Sequence, residues 1–321
     1  MDSSYRPDAS EPIGFSHYSV MRSEAIDALR IIPDGIYVDC TAGGGGHSFE
    51  IASRLSEKGR LIAFDQDSDA LQAAKKRLSP YLERVSLVHA NFKDVGPLLQ
   101  EMGIEKIHGA LLDLGVSSYQ LDHAERGFSY MQSAPLDMRM DRTQSLTAYD
   151  VVNGYEEKDL SRILRLYGEE KFAPQIARKI VSERQKANIE TTGQLSDLIR
   201  AAIPAKARQG GHHPAKKSFQ AIRIEVNREL DVIEPALRAL TELLAVGGRL
   251  AVITFHSLED RLTKQTFASF EGSCTCPPDF PVCVCGRKQI AKALKSVTPS
   301  EKELEENPRS RSARLRVLEK I

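Results

Sequence analysis

Apolar runs of four or five residues recur through the first third of the chain, separated by segments with helical spacing, and this alternation limits the fold more than any other feature. The runs are Ile36-Tyr-Val-Asp39, Leu61-Ile-Ala-Phe-Asp65, Val85-Ser-Leu-Val-His89 and Gly109-Ala-Leu-Leu-Asp113. Ser48 to Leu55 and Ser68 to Leu78 are helical pieces between them. A run that is apolar at successive positions suits a strand buried on both faces. Strands alternating with helices make a parallel sheet covered on both sides. The expected fold is an open, doubly wound α/β domain.

From about Tyr119 to Lys217 the pattern changes and no strong strand is evident. Leu160, Ile163, Leu164 and Tyr167 mark one helical face, and Phe172, Ile176 and Ile180 mark another. Thr191-Thr-Gly-Gln194 has capping-box spacing ahead of Leu195, Leu198 and Ile199. Ile222, Val226, Leu230, Ile233, Leu237, Leu240 and Leu244 then continue a helical region, with Pro235 opening its second helix and Gly247-Gly248 stopping it. Arg249-Leu-Ala-Val-Ile-Thr-Phe255 returns as a strand. A helical block between two α/β halves reads as an insertion into one sheet. The expected organisation is a mobile polar tail over 1–16, a discontinuous α/β domain over 17–118 and 218–321, and an inserted, mainly helical domain over 119–217.

Asp39-Cys-Thr-Ala-Gly-Gly-Gly-Gly-His47 lies between the first strand and a helix. Four consecutive glycines let the backbone turn with positive φ and approach a ligand closely. The helix that follows offers unpaired N–H groups to an anionic group. Alone, the loop suits a tight turn in any α/β protein as well as a nucleotide site. Its context favours the nucleotide. Asp65 ends the second strand, placed to accept ribose hydroxyls; Asn91-Phe92 follows the third, placed to stack on adenine; Asp113 ends the fourth. Asp65 and Asp67 also have the positions of simple helix caps before Ser68.

The glycines at 43, 44, 45 and 46 are contiguous and none falls at 48, which departs from the G-x-G-x-x-G dinucleotide pattern. Acids at 39, 65 and 113 suit a ligand with a sulfonium and an ammonium better than a pyrophosphate. S-adenosylmethionine is therefore the expected cofactor, and an NAD-dependent dehydrogenase is disfavoured.

Composition sets limits on partners. The 321 residues are 41% hydrophobic and 27% charged, with 44 basic and 44 acidic side chains, so any nucleic-acid surface must be local. No apolar run approaches the roughly 18 residues of a membrane span, and the first residues lack a signal-peptide layout. Five cysteines, four of them within one short stretch, argue against a secreted disulfide framework. The expected protein is cytosolic, without a membrane partner.

Six segments, taken in order, resemble the successive motifs of one family. They are Asp39-Cys-Thr-Ala-Gly-Gly-Gly-Gly-His-Ser48, Leu111-Leu-Asp-Leu-Gly-Val-Ser-Ser118, Glu125-Arg-Gly-Phe-Ser129, Pro135-Leu-Asp-Met-Arg-Met-Asp141, Arg223-Ile-Glu-Val-Asn-Arg-Glu-Leu230 and Phe255-His-Ser-Leu-Glu-Asp-Arg261. The family is RsmH, also called MraW, the bacterial 16S ribosomal RNA cytosine-N(4) methyltransferases, and the resemblance runs from about His17 to Asn307-Pro-Arg-Ser-Arg-Ser312. It implies a class I methyltransferase fold with an inserted helical substrate domain. It also implies S-adenosylmethionine contacts at Gly45, Gly46, His47, Asp65, Phe92, Asp113 and Gln120. The implied partner is 16S rRNA within the small ribosomal subunit. The alternative functions are a small-molecule methyltransferase, which would have little use for a basic insertion, and a non-catalytic RNA-binding ribosome assembly factor; oligomeric state is left open, a homodimer included.

Asp113-Leu-Gly-Val-Ser117 stands where many amino methyltransferases carry Asp/Asn/Ser-Pro-Pro-Tyr. Asp113 is the first candidate to orient the target amine, and it also suits a cofactor contact. His256, just past a strand end, is the second candidate, and it also suits a structural hydrogen bond. Lys206, Arg208, Lys216 and Lys217 lie between Arg200 and Arg223 with no acid among them, around Gly210-Gly-His-His-Pro214. Arg309, Arg311, Arg314 and Arg316 form a second basic cluster. Both suit RNA phosphates, and both suit solvated surface. Cys274, Cys276, Cys283 and Cys285 suit tetrahedral zinc in number, but their single-residue spacing is tighter than usual, and no metal is expected.

Overall fold

The computed structural model describes residues 19–209, 213–272 and 288–321. The expected tail over 1–16, the Gly210-Gly-His212 segment and the four clustered cysteines lie outside the described residues. After α1 (Arg22–Leu29) come β1 (Ile36–Asp39), α2 (Gly46–Arg54), β2 (Arg60–Asp65), α3 (Ser68–Arg77), β3 (Val85–His89), α4 (Val95–Glu101) and β4 (Ile107–Asp113). A helical stretch follows, with α5 (Ser118–Asp122), α6 (Ala148–Gly154), α7 (Glu157–Gly168), α8 (Ala173–Arg184), α9 (Thr192–Ala202) and α10 (Lys216–Asn227). The chain then forms α11 (Ile233–Leu243), β5 (Leu244–Thr254), α12 (Ser257–Phe270), β6 (Ala291–Ala293), α13 (Glu301–Glu306) and β7 (Arg314–Lys320).

The strands form one sheet in the order β3-β2-β1-β4-β5-β7-β6. β1 to β5 pair in parallel, and β7 runs antiparallel to both β5 and β6. This is the expected class I methyltransferase arrangement. The direction of build-out reverses between β1 and β4, which opens a crevice at their carboxyl ends.

Both faces of the sheet are buried, which is why its strands read as continuous apolar runs. Val38, Ile62, Phe64 and Leu112 pack with α4 and α11 on one face. Tyr37, Leu61, Ala63 and Leu111 pack with α1 and α2 on the other. β5 is longer than expected. The helix before it stops at Leu243, and Leu244 already pairs with Ile107 in the sheet. Gly247 and Gly248 therefore lie inside a strand. Gly247, at φ 78, sits where the β4–β5 register shifts, so a glycine conformation makes an irregularity and does not stop a helix.

A separate apolar cluster joins the helical stretch. Leu160, Ile163 and Leu164 of α7 pack with Ile176 and Ile180 of α8, Leu195 and Ile199 of α9, and Phe219, Ile222 and Val226 of α10. Thr191 and Gln194 make the expected capping box for α9. A Cβ on Gly168 would meet the Lys217 carbonyl oxygen at 2.6 Å, so glycine permits the close approach of α7 and α10. A boundary at 217 would cut α10, whose apolar face belongs with the helical cluster through Val226. No helix among the described residues is long and apolar enough to cross a membrane.

Candidate active site

The crevice is a cleft of about 590 Å³, within the usual size range of small-molecule sites. The chain reaches it through Thr41 to Gly46, a loop held by two aspartates. Asp39, fully buried, accepts from the Ser48 hydroxyl at 2.6 Å and from the Thr41 N–H at 3.1 Å. Asp65 accepts from the Gly43 N–H at 2.7 Å and the Asp67 N–H at 2.9 Å. Gly43 and Gly45 have φ of 51° and 79°, and a Cβ on Gly45 would lie 3.1 Å from Ala74 Cα. The glycine run thus meets both demands that a side chain would obstruct, a left-handed turn and a close packing contact.

Asp65 and Asp113 line the cleft. Asp39 does not: it braces the loop from below, which corrects the expectation of a three-acid rim. Burial pushes the carboxyls of both Asp39 and Asp65 up to about 6. Asp113 is displaced furthest, well above the usual range, first by burial and then by the charges of Asp39, Glu259 and Glu303. Its backbone N–H donates to Thr41 Oγ1 at 2.7 Å, while its buried Oδ1 has no hydrogen-bond partner among the described residues. Its Oδ2 lies 3.7 Å from His47 Nδ1. Burial lowers the His47 imidazole to about 4, so it is neutral near pH 7. His47 Nε2 faces the Val20 carbonyl at 3.1 Å, which assigns the proton to Nε2 and leaves the Nδ1 lone pair toward Asp113.

The structure brings Gly46, His47, Asp65, Phe92, Asp113 and Gln120 to this one cleft, with Gly45 just behind as the N-cap of α2. Gln120 has little capacity left for a ligand. Its Oε1 accepts from the Ser117 N–H, and its amide donates to Asp67 Oδ2 at 2.8 Å. That oxygen also meets the buried Arg126 guanidinium at 2.8 Å. Arg126 in turn donates to the carbonyls of Arg139 and Met140, so this chain of contacts ties the cleft wall to the Pro135–Asp141 loop.

His256 is placed elsewhere. It caps α12, with its ring nitrogen Nε2 3.1 Å from Glu259 Oε1, and it lines a second cavity. The expected catalytic position is thus a helix cap, and it is Glu259 that faces the cleft. Glu259 and the buried Arg223–Glu229 pair (2.8 Å) line the cleft and were missed by sequence reasoning, as was Arg126 behind its wall, while Asp67 is the expected cap of α3. Of the first basic cluster, Arg208, Lys216 and Lys217 line the second cavity together, while the second cluster is divided. Arg309 pairs with Asp122 and Arg316 with Asp260, while Arg311 lines the cleft and Arg314 the second cavity. Among the described residues no group of acids, histidines and cysteines is arranged to hold a metal.

The cleft fits a cationic nucleoside. Asp65 and Asp113 line it as carboxyls that a cation would help to ionise, Asp113 keeps a buried oxygen without a partner among the described residues, and the glycine run puts no side chain in the way.

Comparison with known proteins agrees. Residues 14–321 match the model of the MraW methylase family. The chain is 58% identical over 309 residues to "Ribosomal RNA small subunit methyltransferase H 2" of Agathobacter rectalis, covering 95% of this chain and 98% of that one. It is 58% identical over 315 residues to "Ribosomal RNA small subunit methyltransferase H" of a Paenibacillus species, covering 96% and 100%. A Clostridium botulinum protein of the same name is 56% identical over 309 residues, covering 96% and 99%. A solved chain described as a putative rRNA-methylase from Clostridium thermocellum superposes with a TM-score of 0.46 at 12% identity, covering 95% of this chain and 99% of that one, too loose a likeness to argue from. The full span of the match, at more than half identity, makes this chain a member of the MraW methylase family.

Proposed function

We propose that this protein methylates the exocyclic N(4) amine of one cytosine in the decoding region of 16S rRNA, within the small ribosomal subunit. The coarser activity, S-adenosylmethionine-dependent methylation of small-subunit rRNA, goes with the family. A cytoplasmic location goes with that substrate.

When bound, S-adenosylmethionine supplies an electrophilic methyl group on a positively charged sulfur. The protein's residues do the rest. Gly45 and Gly46 open the loop and the α2 N-terminus to the cofactor, Asp65 accepts from its ribose hydroxyls, and Phe92 gives a face for adenine. His47 and Gln120 hold the walls. Asp113 orients the target amine. A cytosine amine is a poor nucleophile because its lone pair is delocalised into the ring. A carboxylate with a raised affinity for protons is suited to draw on an N–H of that amine and to take up the proton that must leave. The unpartnered Oδ1 of Asp113 is the observation that carries this reading. The helical block, extended through α10, serves as the substrate-recognition module.

The test is single-turnover methyl transfer to unmethylated small subunits, with digestion to nucleosides, at cofactor concentrations far above its dissociation constant. The wild type should produce N(4)-methylated cytidine. Asp113→Asn should lower saturated kcat by about tenfold or more, because the lost interaction belongs to the transition state. A variant with full kcat removes Asp113 from the chemistry, and a methyl group on any other atom rejects the assigned substrate.

A further inference from the structure

A second cavity, of about 890 Å³, lies between the helical block and the end of β5 at Thr254 and the start of β7 at Arg314. Lys216, Phe255 and Ser312 line both this cavity and the cleft, so the two spaces adjoin. Resting on the reading of the cleft as the site of methyl transfer to RNA, we infer that the second cavity holds the single-stranded RNA immediately flanking the target nucleotide.

Its charges carry the argument. Three acids line it, and each is already engaged. Asp260 takes a two-point contact from Arg316 at 2.7 and 2.9 Å. Glu169 accepts from the Ser257 hydroxyl at 2.9 Å and from Arg261 at 3.3 Å. Glu170 accepts from the Phe172 N–H at 3.0 Å. The cations are less engaged. Arg314 comes no nearer to Asp260 than 3.8 Å, and its side chain is 44% exposed. Arg208 donates Nε to the Ile203 carbonyl at 2.8 Å and keeps its terminal nitrogens. Lys217, by contrast, donates to the Glu169 carbonyl at 3.1 Å. The wall therefore offers guanidinium groups beside two acids already paired with other arginines and a third bound to a backbone N–H, which suits a polyanion.

Aromatic rings carry the second part. Tyr130 lines the cleft and His213 lines the second cavity, and their rings stack at 4.6 Å with an interplanar angle of 16°. Phe219 supports Tyr130 edge-on at 5.6 Å. A braced planar pair reaching from one space to the next gives bases a stacking surface on either side, and stacking platforms combined with cationic walls are how single strands are held. A cleft of about 590 Å³ has room for a cofactor and one base but not for the strand on both sides of it. The neighbouring nucleotide must leave through an adjoining space, and this one has the required chemistry.

The experiment compares wild type with Arg208→Ala/Arg314→Ala, using unmethylated small subunits and a single-stranded oligoribonucleotide. The dependence of log affinity on log salt should flatten by about 0.7 per lost phosphate contact, so by about 1.4 for the pair. KM for subunits should rise about tenfold or more at physiological salt, with S-adenosylmethionine affinity unaltered by calorimetry. Arg208→Lys/Arg314→Lys should restore most of the salt slope, which separates a charge contact from a packing defect. An unaltered slope in the alanine pair, with an active wild type, overturns this inference alone. A wild type that transfers no methyl group to subunits overturns the reading of the cleft instead.

Discussion

Asp65 and Asp113 share a predicament, since each carboxyl is buried beside other acids and therefore holds its proton to a higher pH than usual. A cation in the cleft favours the ionised forms, so S-adenosylmethionine binding should expel protons. Below the raised values the carboxyls are neutral and binding must first ionise them; above them they are ionised already. Through Asp65, held up to about 6, affinity should thus climb as pH rises from about 5 to 7, and Asp113, raised further, should carry the climb higher, while His47, at about 4, stays neutral throughout. Calorimetry near pH 6 in two buffers of different ionisation enthalpy should report net proton release. A pH-independent affinity would contradict the electrostatic description. Asp65→Ala should weaken binding by roughly 1.5–3 kcal/mol, the scale of lost hydrogen bonds to a charged group. At this scale the acids were legible because strand ends mark the ligand edge of an open sheet. Asp39 misled because a strand-end acid can equally turn under its own loop, as its bonds to Ser48 and Thr41 do.

Helix termini account for what happened to His256. Its backbone, at φ −142° and ψ 165°, has the extended geometry of an N-cap, and its side chain accepts from the Glu259 N–H. His256→Ala should cost about 0.5–2 kcal/mol of stability, and His256→Asn should recover most of it, because asparagine caps equally well. Thermal denaturation with parallel kcat measurements checks this. A large kcat loss in a variant of undiminished stability would return His256 to the chemistry. Among the elements, the parallel strands and capping box were readable from apolar runs and turn residues. β7 was not read, although Arg314-Leu-Arg-Val317 alternates as a strand with one buried face should. Its arginines drew attention as charge, while Leu315 and Val317 supplied the buried face against the sheet. The end of α11 was misplaced for a related reason: a glycine pair signals positive φ, and a strand irregularity uses that as readily as a helix stop.

Across the molecule, contacts far apart in sequence connect the sheet to the helical block. Arg126 reaches Asp67 at one end and the Pro135–Asp141 loop at the other, and Asn227 receives the Met140 N–H at 2.8 Å and donates to the Met138 carbonyl at 2.8 Å. Met138 itself has φ 58, a left-handed turn that those bonds hold in place. None of these pairings could be read from the chain, because nothing local to Arg126 or Asn227 announces a partner 59 or 89 residues away. The insertion was legible from the change in periodicity, but its edge was not, since α10 is helical on both sides of 217 and only packing assigns it. What the connected whole is for can be read from the RNA itself. Mass spectrometry of small-subunit rRNA nucleosides from cells lacking this protein should show loss of one N(4)-methylated cytidine. The wild-type gene should restore it, and the Asp113→Asn variant should not, or only in part. An unchanged nucleoside profile in the deleted cells would contradict the assignment.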